Sequence, residues 1–425
     1  MSKGFSRRRF LGTTAAGVAA VTAAPRIGLG ASKTVKVGFN APLTGEVAGW
    51  GLPGLNGCEI WAEEVNAAGG ISAGGDAYTV ELVPFDNEYL SDKALQGAKK
   101  LVLEDDVKII LMLGGTDAAG AVPWMTRKKM LSTTLLPSDL TPDTKYHLAP
   151  CEVHPIYNVT GVQWLAENRP DLKTAAICAQ DDELGRPSVA TYRAAFEAAG
   201  VDVVYDKFFD INTTDFAPIV TAMLAADPDI LCLDTAYPDF VNLITEQAYL
   251  QGFKGQIVSC TFDFYPQVIE KTSKTFVEGF IFQFPDFDDP ALNAAHINFK
   301  DPNGFFAKYS ERYPGTWSAV SWEYASILEL WKAAVEKAGS VEPMPVFDAM
   351  KEGGRAPHAF GDSAWWGTEL FGIDNALVGN WPVVQVKDGK ATIVEYKDIT
   401  EWWAKNKKIM VKHFEALGEM WYQRT

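Results

Sequence analysis

Val35–Asn66 reads VKVGFNAPLTGEVAGWGLPGLNGCEIWAEEVN. Val35, Val37 and Phe39 make its start a short β-prone run and predict a strand over Val35–Asn40. A polar loop with glycines follows, Leu43–Gly51. A helical stretch over Leu52–Asn66 then stops at Gly69-Gly70, where glycine accepts the left-handed backbone of a helix end. Strand, loop and helix make half of a βαβ unit, and the chain continues the alternation. Tyr78–Pro84, Lys108–Leu113 and Leu131–Leu136 read as strands, and Asp92–Leu103 and Gly120–Lys128 as helices. The strands are apolar runs rather than clean alternations, which suits a parallel sheet buried on both faces.

Residues 137–154 interrupt this pattern with Pro137, Pro142 and Pro150, and Pro155 follows directly. The alternation then restarts. Thr174–Gln180, Val201–Phe208, Asp229–Asp234 and Gln256–Cys260 predict strands. Pro187–Ala199, Asp215–Ala226 and Asp239–Gln251 predict helices, with Asp215 as an N-cap and Gly200 and Gly252 as stops. Two βαβ series divided by a proline-rich crossing imply two α/β lobes. A third part follows. Gly279–Gln283 reads as a strand, and Ser318–Ala338 as a long helix with an apolar stripe at Val320, Tyr324, Ile327, Leu328, Trp331, Val335 and Ala338. Glu329, Lys332 and Glu336 fall on its other face. Val383–Val386 and Thr392–Glu395 read as a hairpin turned by Lys387-Asp388-Gly389-Lys390.

The chain opens with Ser6-Arg7-Arg8-Arg9-Phe10-Leu11 and a mildly apolar run to Ala24. A basic start followed by a short apolar region reads as a secretory signal, too short to span a bilayer. The arginine pair with Phe10-Leu11 looks like a twin-arginine signal, which exports folded proteins. Cleavage after Ala24 would place Pro25 next, so the cut is expected near Gly30 or Ala31 and residues 1–31 are set aside. No Cys precedes Cys58, so the lipid-anchor pattern is missing and no membrane anchor is expected. The product is expected to be soluble in the periplasm.

Across 425 residues there are 54 Asp+Glu against 38 Lys+Arg, a formal net charge of −16. An acidic chain without a basic stripe repels phosphates, so nucleic acid is not an expected partner. The five cysteines, Cys58, Cys151, Cys178, Cys232 and Cys260, are widely spaced and include no C-x-x-C. Cys178, Cys232 and Cys260 lie in predicted strands and are expected to act as small core residues. The five histidines show no metal-ligand spacing, and no nucleophile elbow or phosphate loop occurs. No catalytic residue, metal or cofactor is therefore assigned.

Gly49-Trp50-Gly51-Leu52-Pro53-Gly54 does satisfy G-x-G-x-x-G. Eight residues, 41–48, separate it from the strand, however, and Trp50 would crowd a pyrophosphate. It reads better as a strand-end loop that offers an indole to a ligand, because open α/β sheets bind ligands beyond their strands' carboxyl ends. The same rule selects Gly114–Asp117 and Pro137–Asp139 in the first lobe. In the second it selects Gln180–Arg186, Asp234–Pro238 and Thr261–Asp263. Short polar side chains, helix-start N–H groups and the rings of Trp50, Tyr237 and Phe262 suit a small, partly apolar solute.

Five stretches carry a resemblance in the right order: Val35–Gly51, Glu63–Ile71 (EEVNAAGGI), Asp215–Ile230 (DFAPIVTAMLAADPDI), Tyr237–Ala248 (YPDFVNLITEQA) and Pro382–Lys390 (PVVQVKDGK). Over nearly all of its length beyond the signal the chain resembles the periplasmic solute-binding proteins of ABC importers, in their leucine/isoleucine/valine-binding, type I class. The resemblance implies two lobes, parallel sheets flanked by helices, joined by a three-strand hinge with the ligand between them. On that basis lobe 1 comprises 33–150 plus 279–379, and lobe 2 comprises 151–278 plus 380–425. It also implies a ring at Trp50, carboxylate-binding hydroxyl and N–H groups at Gly115, Thr116 and Ser138, and a tyrosine at Tyr237. An aromatic usually stands where Glu183 or Leu184 does. The acid that pairs with a ligand ammonium falls here at Thr261 or Phe262, with Asp263 close by. Asp139 stands where a small residue is usual. The implied site is Trp50, Gly115, Thr116, Ser138, Asp139, Glu183, Tyr237, Phe262 and Asp263. The family's ligand is an amino acid, and the departures at Asp139 and at Thr261-Phe262 make an amine, an amide or an aromatic-bearing solute an equal expectation.

The expected function is thus capture of a small organic solute by lobe closure and delivery to an ABC permease with its ATPase, without catalysis. A ligand-sensing receptor module of the same fold is the alternative; the chain ends at Thr425 with no output domain. A secreted α/β enzyme is the third reading, and it lacks a catalytic constellation.

Overall fold

Continuous apolar runs become strands buried on both faces. Ala175–Gln180 is wholly buried within the strand Thr174–Gln180, and so are Ile230–Leu233 and Gln256–Ser259. The computed structural model describes residues 33–424 except 46 and 234–236. The signal expected over residues 1–31 lies outside the described residues.

Two sheets organise the chain. The first runs in the order Ile71–Ala73, Asp76–Asp86, Lys33–Ala41, Ile109–Leu111, Ser132–Thr133, His147–Leu148. It is parallel except for the edge pair Ile71–Ala73 and Asp76–Asp86. Val35 stands opposite Val80 and Val37 opposite Ile109. The second sheet runs Lys390–Asp398, Asn380–Lys387, Ile281–Phe282, Gln256–Ser259, Ile230–Leu233, Thr174–Gln180, Asp202–Phe209. Its last five strands are parallel, and the 380–398 hairpin adds an antiparallel edge turned by Asp388 and Gly389, both at positive φ. Gly200 ends its helix at φ 69, the conformation a glycine stop supplies.

Three findings revise the expected organisation. Ile281–Phe282 pairs with Val258 and with Val384–Gln385, so it belongs to the second sheet and not, as a boundary at 279 would have it, to the first lobe. The chain then returns to the first lobe, where Arg312 and Tyr313 reach Glu63 and Glu59. Helix Ala48–Ala67 also starts four residues earlier than expected, so Trp50 stands on its first turn rather than in a loop. Finally, residues beyond helix Ile399–Leu417 leave the second lobe. Trp421 N–H donates to the Leu370 carbonyl (3.0 Å), and Arg424 donates to the carbonyls of Leu140 (3.2 Å) and Ser138.

Three chain crossings link the lobes: 149–158, 283–301 and the step from Val378 to Asn380. Helix Val320–Ala338 lies against Ala48–Ala67, and Trp61 Nε1 donates to Glu329 Oε1 at 2.8 Å. All five cysteines are buried and none is in a disulfide.

Candidate functional site

In each sheet one strand has the strands that follow it in the chain on opposite sides, the point where the strand order reverses: Lys33–Ala41 between Asp76–Asp86 and Ile109–Leu111 in the first, Thr174–Gln180 between Asp202–Phe209 and Ile230–Leu233 in the second. Loops leaving the carboxyl ends of such strands diverge and open a crevice. Here the two crevices face each other. The cleft between them has about 490 Å³ of empty space, mouth included. Val47, Trp50, Leu113, Leu135 and Leu136 line it from the first lobe, and Leu184, Tyr237, Thr261 and Phe284 from the second lobe and a crossing. Ala319, Val320 and Glu323, at the start of Val320–Ala338, close it together with Glu152 and His154 from the first crossing. None of these lining residues is a lysine or an arginine.

The residues singled out in the sequence divide into three groups. Trp50 and Tyr237 both line the cleft; the Trp50 ring meets Phe264 edge-on at 5.8 Å. A second group is not among the lining residues and is engaged with other groups of the protein, mostly carboxylates. Gly115 N–H donates to both oxygens of Asp139, at 3.0 and 3.1 Å, and Thr134 Oγ1 donates to the same carboxylate at 2.8 Å. Gly114 and Gly115 hold φ of 109° and 72°, and a Cβ on Gly114 would lie 2.5 Å from Asp139 Oδ2, so glycine permits this approach. Thr116 Oγ1 donates across the lobes to Glu183 Oε1 at 2.6 Å. Asp263 Oδ2 accepts from Ala319 N–H at 2.9 Å, also across the lobes. Ser138, on the turn Pro137–Asp139, presents its carbonyl to Arg424. The third group is Phe262 alone. Its ring packs on Phe280 and Phe282 at 5.7 and 5.8 Å, inside the second lobe's core and not among the cleft-lining residues.

The structure adds two buried acids that the sequence reading passed over, Glu323 and Glu152, beside the expected Asp263. Glu323 is 0% exposed, and the one group that hydrogen-bonds its carboxyl is the carboxyl of Glu152. Burial and then the like charge of Glu152 push its proton affinity well above the usual carboxylate range. Glu152 is raised for the same first reason, burial, against a hydrogen bond from Tyr157 that lowers it. Asp263 is pushed up by burial to about 6, and its Oδ1 is unpartnered. His154 is driven down by burial to about 4, so it is neutral near pH 7; it contacts Tyr157 Oη at 3.0 Å and Ser188 Oγ at 3.1 Å. Glu323 had one legible signal: it falls on the apolar stripe, one turn before Ile327 and beside Tyr324. Tyr89 is a further addition, with its hydroxyl against Gly115 and a backbone φ of 59°, rare for a bulky residue. Among the described residues no group of three or more His, Cys, Asp or Glu is placed to hold a metal ion.

This is a ligand cleft between two α/β lobes, and the chain belongs to the periplasmic binding protein family, whose profile matches residues 34–391. Its fold is that of the type I, leucine-binding kind. A leucine-, isoleucine-, valine-, threonine- and alanine-binding protein of Pseudomonas aeruginosa is 23% identical over 338 residues, 76% of this chain and 83% of that protein. A leucine-binding protein of Thermotoga maritima superposes with a TM-score of 0.68 at 20% identity, covering 87% of this chain and 100% of that one. A solute-binding protein of an R. palustris ABC transporter, solved with 4-hydroxybenzoate, gives a TM-score of 0.68 at 19% identity, over 87% and 99% of the two chains.

Proposed function

We propose that this chain is the substrate-binding component of an ABC importer. It captures a small organic solute by closing its lobes and delivers it to a membrane permease with its ATPase, and it performs no reaction on the solute. The observation that carries this reading is the cleft itself, lined mostly by apolar side chains and held shut by two hydrogen bonds from lobe to lobe, Thr116 to Glu183 and Ala319 to Asp263. Such contacts can form and break with rotation about the three crossings, which is how a hinge converts binding into a shape a partner can read. Relatives of this fold bind amino acids or a hydroxybenzoate, which supports a solute of that size.

The test has two parts. Mass spectrometry of natively purified protein should release a bound small molecule. Small-angle scattering should then give a smaller radius of gyration with that molecule than without it, and a melting temperature raised by mass action, about 2.7 kcal/mol at 100 times the dissociation constant. Binding with an unchanged radius would count against closure, and no small molecule bound under any condition would count against the whole reading.

The proposal includes action outside the cytoplasm after export by the segment holding Arg7 and Arg8. An Arg7→Lys, Arg8→Lys double variant should leave uncleaved precursor in the cytoplasm; normal periplasmic accumulation would remove the twin-arginine assignment. Among the described residues no helix is long and apolar enough to cross a membrane.

A further inference from the structure

Three donors that could hold a ligand carboxylate are already engaged by carboxylates of the protein: Gly115 N–H by Asp139, the Thr116 hydroxyl by Glu183, and Ala319 N–H by Asp263. The wall of the cleft contains no lysine or arginine, and His154 is neutral. On the same wall the carboxyl groups of Glu152 and the fully buried Glu323 hydrogen-bond each other, and no other group bonds the Glu323 oxygens. A ligand anion would therefore meet carboxyl groups and no counter-ion, whereas a cation can take the place of a proton held by this pair.

We infer that the cleft selects a protonated primary amine on an apolar body that carries no carboxylate, with Glu323 and Glu152 receiving the ammonium and Trp50 and Tyr237 flanking the body. This rests on the solute-binding reading above and narrows it. It also separates this chain from relatives that bind amino acids or a hydroxybenzoate, each of which brings a carboxylate.

Protonation makes the inference testable. The groups that act on Glu323 are Glu152 and Cys151 from the first crossing, Asp263 from the second lobe, Tyr157, and Tyr324 on its own helix. Glu323 holds its proton above the ordinary value of 4.5 because of burial and then Glu152. A raised acid stabilises the empty fold fully below its unfolded value, and that contribution is lost as pH rises through the folded value. The empty protein should thus lose melting temperature as pH rises from about 5 to 9, and Glu323→Gln should lose less. Amine binding has the opposite slope. The carboxyl pair must give up a proton while an amine with a pKa near 10 stays charged, so affinity should rise by up to about tenfold per pH unit for each proton released.

The probes are matched pairs that differ by one carboxylate: 2-phenylethylamine against L-phenylalanine, and 3-methylbutylamine against L-leucine, with 4-hydroxybenzoate and phenylacetamide added. Calorimetry and thermal shift at pH 6, 7 and 8.5 are expected to show each amine binding at least about tenfold more tightly than its amino acid. Glu323→Gln should weaken the amines by about tenfold or more and flatten their pH slope. Glu152→Gln is the second variant, in case the first does not fold. Tighter binding of the amino acids, of 4-hydroxybenzoate or of phenylacetamide would overturn this inference and leave the solute-binding reading standing. So would an amine affinity and slope unchanged in both variants. Failure of every probe, with no native solute released, would overturn both.

Discussion

Trp381→Ala should cost about 3–5 kcal/mol of unfolding free energy, the range for truncating a buried tryptophan. Trp381 is 2% exposed and stands at the third crossing. It stacks on Tyr157 of the first crossing with centroids 5.0 Å apart and planes 16° apart, and meets Phe284 of the second at 6.4 Å. Its indole N–H donates to the Gln283 carbonyl at 2.9 Å. One side chain thus touches all three crossings, and its removal also leaves a buried carbonyl unpaired, which adds about 1–3 kcal/mol if no water enters. Urea unfolding followed by tryptophan fluorescence and by circular dichroism would measure the loss. The two signals should also separate in the variant, because the lobes lose their shared packing. Trp381→Phe keeps a ring but not the donor and should cost less. A loss below about 1 kcal/mol for the alanine variant would show that the crossings do not depend on this residue.

Gly57→Val should be comparably severe, about 3 kcal/mol or a failure to accumulate folded protein, because it forces backbone against backbone. A Cβ on Gly57 would lie 1.9 Å from the carbonyl oxygen of Ser321, and one on Gly54 would lie 2.3 Å from the Tyr324 ring. These two glycines let helix Ala48–Ala67 settle against Val320–Ala338, the helix that carries Glu323 into the cleft. No rotamer change can relieve a contact with a carbonyl, so the helices must move apart and the site floor with them. Gly49→Ala, one residue before Trp50, is the control: nothing lies within 4 Å of its Cβ position. It should be neutral or slightly stabilising, since alanine favours a helix interior over glycine by about 1 kcal/mol. Equal melting temperatures for Gly57→Val and wild type would contradict the packing described here.

How much of this was legible depended on whether the signal was local. The strand Thr174–Gln180 has the bounds its apolar run predicts, and Gly200 and Asp388-Gly389 sit at the positive φ their residue types favour. Two α/β lobes followed from counting such units on either side of a proline-rich gap. The small antiparallel sheet of Arg355–His358, Gly361–Trp366 and Ala376–Val378 was not read, nor was helix Ile399–Leu417. Short strands like these are fixed by their partners more than by their own pattern.

Trp50 and Tyr237 were found by one rule about strand ends, and both line the cleft. Glu152 and Glu323 lie on a crossing and on a long helix, where that rule does not look. The sequence by itself determined most strands and helices of the two βαβ series, because an unbroken apolar run records a strand buried on both faces and a 3.6 periodicity records which side of a helix is buried. Only the tertiary structure decided what lies across from each buried side. Ile281–Phe282 went to the second sheet because its partners were free edges there, and Asp139 became a built-in occupant of Gly115 N–H because two glycines let it approach. Glu323 became a buried acid paired with another carboxyl, Glu152, because segments far apart in the chain closed over it, and the periodicity of one helix carries no record of them.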